Sequence, residues 1–168
     1  MIVIGIDPGL AAIGFGVLDE SRGKTICLDY GCIRTGADKP FADRLKEIYD
    51  KISELIDRYE GATCALEDLF FCKNVKTAFA VGQSRGVCIL AAVQGGMDVH
   101  SYTPLQVKMA VAGYGKAPKK QVQNMVTNLL KLNKTPEDHA ADALAVALCH
   151  LHSFKYLKEV EKQIAGNY

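Results

Sequence analysis

The chain has 168 residues, 49% of them apolar, which is enough for one well-packed domain and too little for two substantial ones. Its apolar runs are far shorter than the roughly 20 residues that cross a bilayer, and Met1 leads directly into a strand-like segment without a basic leader. We therefore expect one domain, residues 1–168, in a soluble cytoplasmic protein that does not contact membranes.

The first third of the chain predicts three antiparallel strands. The β-branched run 2–6 is the first strand, and it ends at Asp7 because a Pro-Gly turn signal follows. Residues 14–18 and 25–33 are the next two strand candidates, joined by a short turn at 21–23.

From residue 41 onward, helical and strand-like segments alternate. Apolar spacing predicts a helix over residues 41–59, a short buried strand over 63–67, a long apolar helix over 75–93 and a strand over 99–102. Right-handed crossovers make these later strands parallel to the first. The predicted fold is α/β, with a five-stranded mixed sheet of three antiparallel strands and then parallel strands, flanked by helices.

Six cysteines are scattered along the chain without any Cys-x-x-Cys pair, and most of them lie within apolar runs. Reduced thiols behave there as small core residues. We therefore expect neither a disulfide framework nor a zinc site.

Positive charge is concentrated in one part of the chain, although the net charge is only +1. No acidic residue occurs between Val99 and Pro136, where there are six lysines, and the stretch 69–97 also carries cations without acids. Such a surface is typical of proteins that bind polyanions, the alternative being a solvated face whose acidic partners come from elsewhere in the fold. The candidate polyanion contacts are Lys73, Arg85, Lys108, Lys116, Lys119 and Lys120.

A final helix is predicted from about Pro136 to beyond Leu151, with Thr135 as its cap. Asp138 would then be the third helical residue, which favours a capping role for it. His150 and His152 are two residues apart, so a helix points them in different directions, and we expect neither to bind metal.

Four side chains are predicted to meet at one end of the sheet. Asp7 and Glu67 end neighbouring strands, and sites form beyond the carboxyl ends of parallel strands. His139 and Asp142 are three residues apart and share one helix face. Carboxylate oxygens suit Mg²⁺ or Mn²⁺, and two such ions about 3.5 to 4 Å apart support phosphodiester hydrolysis. Taken singly, each acid could merely stabilise a turn or lie on an exposed helix face.

Several motifs together resemble the RuvC family of Holliday-junction resolvases over nearly the whole chain. They include Gly5-Ile6-Asp7-Pro8-Gly9, Leu66-Glu67, Gly82-Gln83-Ser84-Arg85-Gly86, Gln106-Val107-Lys108 and Ala140-Ala141-Asp142-Ala143-Leu144. The resemblance implies a ribonuclease H-like fold, a homodimer, and Mg²⁺-dependent cutting of two opposed strands of a four-way DNA junction in recombination and repair. It also implies 5′-phosphate and 3′-hydroxyl ends, and a branch-migration partner of the RuvA and RuvB type.

The resemblance assigns roles to individual residues. Asp7, Glu67, His139 and Asp142 match the family's catalytic, metal-binding set. This chain has histidine at the third position, where many relatives have aspartate, and metal preference between Mg²⁺ and Mn²⁺ is therefore open. Lys108 and Lys119 match basic residues near the scissile phosphate. Phe70 matches an aromatic ring that stacks on an unpaired base, with core filling as the alternative.

The helix over 75–93 is also the predicted dimer contact. It has more small and apolar residues than packing against one face of the sheet would bury, so some of them are expected to contact a second copy of the chain. The residues expected at that contact are Ala78, Val81, Gly82, Ile89 and Val93.

Three other functions remain as alternatives. Asp7-Pro8-Gly9 followed by Gly14-Phe15-Gly16 also resembles the phosphate hairpin of actin-like ATPases, although 168 residues leave no second domain to close a nucleotide cleft. The lysine-rich stretch would equally serve a related nuclease that acts on RNA. A junction-binding protein without catalysis is the third alternative, which the complete acidic set disfavours.

Overall fold

The sheet has the mixed topology that the sequence predicts. The computed structural model describes residues 1–68 and 75–165, with side chains in the last helix described as far as residue 154. The strands are β1 (Ile2–Asp7), β2 (Ala12–Ser21), β3 (Lys24–Arg34), β4 (Thr63–Glu67) and β5 (Val99–Tyr102). Their order is β3-β2-β1-β4-β5. The β1–β2 and β2–β3 pairs are antiparallel, and the β1–β4 and β4–β5 pairs are parallel.

The β2–β3 hairpin is longer than the predicted segments 14–18 and 25–33. Its turn consists of Arg22 and Gly23, which have positive φ angles of 52° and 75°. A two-residue turn of this kind matches the right-handed twist of strands, so the pairing continues directly from the turn. The register runs from Ser21 opposite Lys24 to Ala12 opposite Arg34.

Helices cover both faces of the sheet. They are α1 (Phe41–Asp57), α2 (Val75–Gln94), α3 (Pro104–Ala112), α4 (Lys119–Leu129) and α5 (Asp138–Ala165). α1 and α2 contribute Ile52 and Cys88 to the core on one face, and α5 contributes Leu144 to the core on the other. α1 ends two residues before the predicted Tyr59. Within the described part of the chain, no helix is long and apolar enough to cross a membrane.

Glycines let α5 lie directly on the first two strands. A Cβ atom added at Gly14 would be 1.8 Å from the carbonyl oxygen of His139, and one at Gly5 would be 2.1 Å from that of Ala143. No side chain fits at either position, because the helix backbone already occupies that space. This close approach brings the first turn of α5 beside the carboxyl end of β1.

The start of α5 differs from the prediction. The helix begins at Asp138 rather than Pro136, and the carbonyl of Glu137 accepts the first helical hydrogen bond, from the N–H of Ala141 at 2.9 Å. The prediction that Thr135 caps the helix and that Asp138 caps from its third position is therefore wrong. Glu137 instead pairs with Arg34 of β3, and Asp138 accepts a 2.6 Å hydrogen bond from Gln123 of α4.

The five cysteines within the described residues are all free, as predicted. Cys64, Cys88 and Cys149 are buried, and Cys27 and Cys32 are half-buried. Burial raises the pKa of the Cys64 thiol to about 12, which keeps it protonated and inert. Cys72 lies outside the described residues.

The two histidines near the middle of α5 lie in different environments. His150 is only 2% exposed, with its Nδ1 2.8 Å from the hydroxyl of Tyr102 and its ring 4.7 Å from the ring of His100. Burial, together with the charge of His100, lowers the pKa of His150 to about 4. His152 Nδ1 lies 3.1 Å from the carbonyl of Ala110.

We expect His150 to make the folded protein less stable in acid. Below the ordinary pKa of 6.5 the unfolded chain binds a proton at this site, whereas the folded chain does not do so until about pH 4. The free energy of unfolding should therefore fall by about 2 kcal/mol between pH 7 and pH 5. Urea denaturation of the parent and of His150→Gln measures this, because glutamine does not titrate and flattens the dependence. His152→Gln is the matched control and should retain it; an equal flattening there would contradict the assignment.

Candidate active site

Asp7 and Glu67 lie at the same edge of the sheet. They end β1 and β4, which are adjacent and parallel, with Ile6 paired to Leu66. Burial, together with the charges of Asp7 and Asp142, raises the pKa of Glu67 to about 7. Burial likewise raises the pKa of Asp7, against the lowering effect of its hydrogen bond with His139. The structure therefore holds carboxylates close enough together to repel each other.

The first turn of α5 completes the cluster. His139 Nδ1 lies 2.7 Å from Oδ2 of Asp7, where the Asp7 side chain is 13% exposed and that of His139 is 46% exposed. Asp142 lies one helical turn further on, and its Oδ2 accepts a 2.8 Å hydrogen bond from Lys119 Nζ. The four residues predicted as the site are thus brought together by three elements, β1, β4 and α5.

A small cavity of about 190 Å³ opens beside these residues. Its polar lining consists of Glu67, Lys108, Lys119 and Asp142, and its apolar lining of Pro104, Val107, Val122 and Ala145. The charges of Lys119 and Lys108 oppose the rise in the pKa of Glu67, so both ammonium groups act on the same carboxylate. Lys108 comes from α3 and Lys119 is the first residue of α4.

The chemistry of this donor set suits a divalent cation. Three carboxylates and an imidazole meet where negative charge is buried and crowded, a condition that a bound cation relieves. Among the described residues, no three such side chains are close enough together to hold one ion. Asp7 is instead hydrogen-bonded to His139, and Asp142 to Lys119, each through one carboxylate oxygen.

The remaining predicted DNA contacts fall into two groups. Lys116, between α3 and α4, and Lys120, in the first turn of α4, are exposed. Neither forms an ion pair with another described residue. Phe70 and Lys73 lie outside the described residues.

Arg85, also predicted as a DNA contact, is hydrogen-bonded to other residues of the protein. Its side chain is only 19% exposed, and its guanidinium donates to the carbonyl of Glu67, to the carboxylate of Asp68 and to the hydroxyl of Ser101. All three partners belong to the protein, so its charge is used internally. Contact between Arg85 and DNA stays a prediction. The neighbouring Ser84 was also not identified from the sequence as a residue of interest. The motif Gly82-Gln83-Ser84-Arg85-Gly86, which contains both residues, was the signal that could have pointed to it.

Comparison with known proteins places the chain in a family. Residues 3–150 match the family described as crossover junction endodeoxyribonuclease RuvC. The chain belongs to the RuvC family. The RuvC of Moorella thermoacetica is 53% identical over 167 residues, covering 99% of each chain. That of Finegoldia magna is 50% identical over 164 residues, covering 96% of this chain and all of the relative.

A solved structure of a relative extends the likeness to three dimensions. The structure of Thermus thermophilus RuvC in complex with a Holliday junction substrate matches with a TM-score of 0.87 at 35% identity, covering 93% of this chain and 96% of that chain. The predicted RuvC resemblance, the ribonuclease H-like fold and the activity as a crossover junction endonuclease are therefore confirmed. An actin-like ATPase, an RNA-directed nuclease and a purely binding protein are set aside as alternatives.

Proposed function

We propose that this RuvC family member cuts the opposed strands of a four-way DNA junction at the site described above, leaving 5′-phosphate and 3′-hydroxyl ends. The proposed metal-binding and catalytic residues are Asp7, Glu67, His139 and Asp142. The observation that carries the proposal is the convergence of these side chains, beside Lys108 and Lys119, at the carboxyl edge of the sheet.

We propose Mg²⁺ as the natural cofactor, with two ions per site and Mn²⁺ as a substitute. Such ions supply an activated water and neutralise charge on the phosphate. Asp7 and Glu67 are the last residues of two adjacent parallel strands. His139 and Asp142 stand on a helix turn whose position is set by the contacts of Gly5 and Gly14.

The lysines have different parts in DNA binding. In the free protein, Lys119 is hydrogen-bonded to Asp142 and lies 3.5 Å from Asp138. When another positive charge neutralises those two carboxylates, Lys119 becomes available to contact the scissile phosphate. Lys108 lines the same cavity. Lys116 and Lys120 are exposed and lie close to Lys119 in sequence. They supply positive charge that attracts the DNA backbone. Phe70 and Lys73 stay as proposed contacts on the strength of the resemblance.

The function is tested by offering one enzyme three substrates. Labelled four-way junction, linear duplex of the same sequence and structured RNA are incubated with and without Mg²⁺. We expect paired nicks in the junction only, and only with the metal, and ligation should reseal the nicks because the ends are 5′-phosphate and 3′-hydroxyl. Equal cutting of the linear duplex or of the RNA would contradict the proposal.

His139 should shift metal preference toward manganese. Imidazole is a softer ligand than carboxylate and is accepted more readily by Mn²⁺ than by Mg²⁺. We expect higher activity with Mn²⁺ than with Mg²⁺ at low metal concentration, and a shift toward Mg²⁺ in His139→Asp. Metal titrations of the cutting rate measure both. His152→Asp, on the same helix but away from the cluster, is the control; an unchanged ranking in His139→Asp would remove His139 from the ligand set.

We propose that the chain forms a homodimer through α2. An exposed apolar stripe follows one face of this helix, through Val75, Phe79, Leu90 and Val93, with Gly82 and Gly86 between them. The predicted contact residues overlap with this stripe only in part, because Ile89 packs against the core. A branch-migration complex of the RuvA and RuvB type remains a proposed partner.

Phe79 is the residue expected to matter most to the dimer, because its large side chain is 70% exposed, more than those of Val75, Leu90 and Val93. Phe79→Asp should convert the dimer to a monomer by burying a charge in the contact. Sedimentation equilibrium measures the change. Leu105→Asp, another exposed apolar position but on α3, should leave the dimer intact. A parent protein that sediments as a monomer would overturn this interface.

A further inference from the structure

Ser84 binds the turn that follows β1. Its side chain is fully buried on α2, and its hydroxyl donates a 2.7 Å hydrogen bond to the carbonyl of Gly9, two residues beyond Asp7. The turn is tight at this point, since a Cβ on Gly9 would lie 2.3 Å from the carbonyl oxygen of Ala12. The position of Asp7 therefore depends on a turn that is attached to α2 through Ser84.

Arg85 binds the end of β4. Its Nε donates to the carbonyl of Glu67 at 3.2 Å, and its Nη2 lies 2.6 Å from Asp68 Oδ1 and 2.6 Å from Ser101 Oγ on β5. The planar guanidinium holds its donors in fixed directions, so one side chain fixes both the backbone of Glu67 and the spacing of two strands.

These two contacts come from consecutive residues of one helix. Neighbouring helical side chains point in different directions, so α2 reaches the β1 turn with Ser84 and the β4–β5 edge with Arg85. Since β1 and β4 are adjacent, the helix acts as a rigid spacer between the strand ends that carry Asp7 and Glu67.

We propose that Ser84 and Arg85 form a positioning clamp that sets the separation of Asp7 and Glu67 for metal binding and cutting. This inference rests on the proposed role of those two carboxylates. The clamp explains why an arginine inside a basic stretch is turned inward. Ligands in such sites must be held to within about 0.5 Å, and their supporting contacts affect metal affinity as well as rate.

The proposal is tested with Arg85→Leu, Arg85→Lys and Ser84→Ala. For Arg85→Leu we expect about 100-fold slower cutting of bound junction, since small misplacements of reacting groups have effects of that size. Mn²⁺ binding to the DNA-free protein, measured by calorimetry, should weaken by about 10- to 100-fold. Junction affinity without metal, and its dependence on salt, should remain those of the parent. Arg85→Lys should rescue little, because an ammonium cannot reach all three partners.

A phosphate-contact role for Arg85 gives the opposite pattern. Junction affinity would fall in Arg85→Leu, the logarithmic salt slope would drop by about one, and Arg85→Lys would restore both. That pattern, or unchanged metal affinity and rate, overturns the clamp. If Arg85→Leu does not fold, Ser84→Ala and Arg85→Lys are judged by the same two measurements.

The control is Arg58→Ala, which removes an exposed cation paired with Asp29, and it should behave like the parent protein. Failure of the clamp is distinguishable from failure of the proposed site. The proposed active site is contradicted if Asp7→Asn still cuts the junction. The proposed clamp is contradicted if substitution of Arg85 and Ser84 leaves the metal affinity unchanged.

Discussion

Asp7→Asn is expected to slow junction cutting by at least about 1000-fold while leaving junction binding intact. Asparagine has the shape of aspartate but lacks the charge that a divalent cation requires, and loss of one group at such a site has effects of this order. Binding survives because phosphate contacts from the lysine-rich surface supply most of the affinity. Single-turnover cutting and band-shift binding without metal measure the two effects separately.

The buried position of Asp7 makes this variant informative. Because burial raises the pKa of Asp7 despite the lowering effect of its hydrogen bond with His139, we expect removal of the negative charge to leave the fold intact, so that lost activity reflects the site. Asp29→Asn, the same change on β3 where Asp29 pairs with Arg58, is the matched control and should cut normally. Cutting by Asp7→Asn at the parent rate would remove Asp7 from the site.

Lys119→Ala is expected to lose about 100-fold in cutting rate and much less in junction affinity. An ammonium beside the scissile phosphate stabilises charge that grows in the transition state, so it affects rate more than binding. The substitution also leaves Asp142 without its 2.8 Å partner in the free protein. Single-turnover rates at saturating enzyme, set against binding affinities, separate the two effects.

Lys120→Ala is the matched control for Lys119. Lys120 is the next residue of α4, is exposed and has no ion-pair partner among the described residues. Its loss should weaken binding slightly, reduce the salt dependence and leave the rate at saturation unchanged. If Lys119→Ala shows that same pattern, its role is attraction of the DNA and not stabilisation of the reacting phosphate.

Local patterns in the sequence were sufficient to predict the sheet and much of the candidate site. The signals that were used each depend on neighbours within a few residues: the β-branched runs, the apolar period of residues 41–59 and the turn after Asp7. The right-handedness of crossover connections then makes the later strands parallel to the first. Asp7 and Glu67 could be paired in this way because both end parallel strands. His139 and Asp142 followed from helical spacing, which holds even though α5 begins two residues later than predicted.

Side-chain partners distant in sequence were decided only by the tertiary structure. Arg85 reads as a DNA contact from its basic surroundings, but packing of α2 against the sheet turns it toward Glu67, Asp68 and Ser101. Asp138 binds Gln123 instead of capping its helix, because α4 lies alongside. A charged group pairs with whichever partner the fold brings within hydrogen-bonding distance. Neither the composition of the chain nor the spacing of its residues predicts the distance between two such groups.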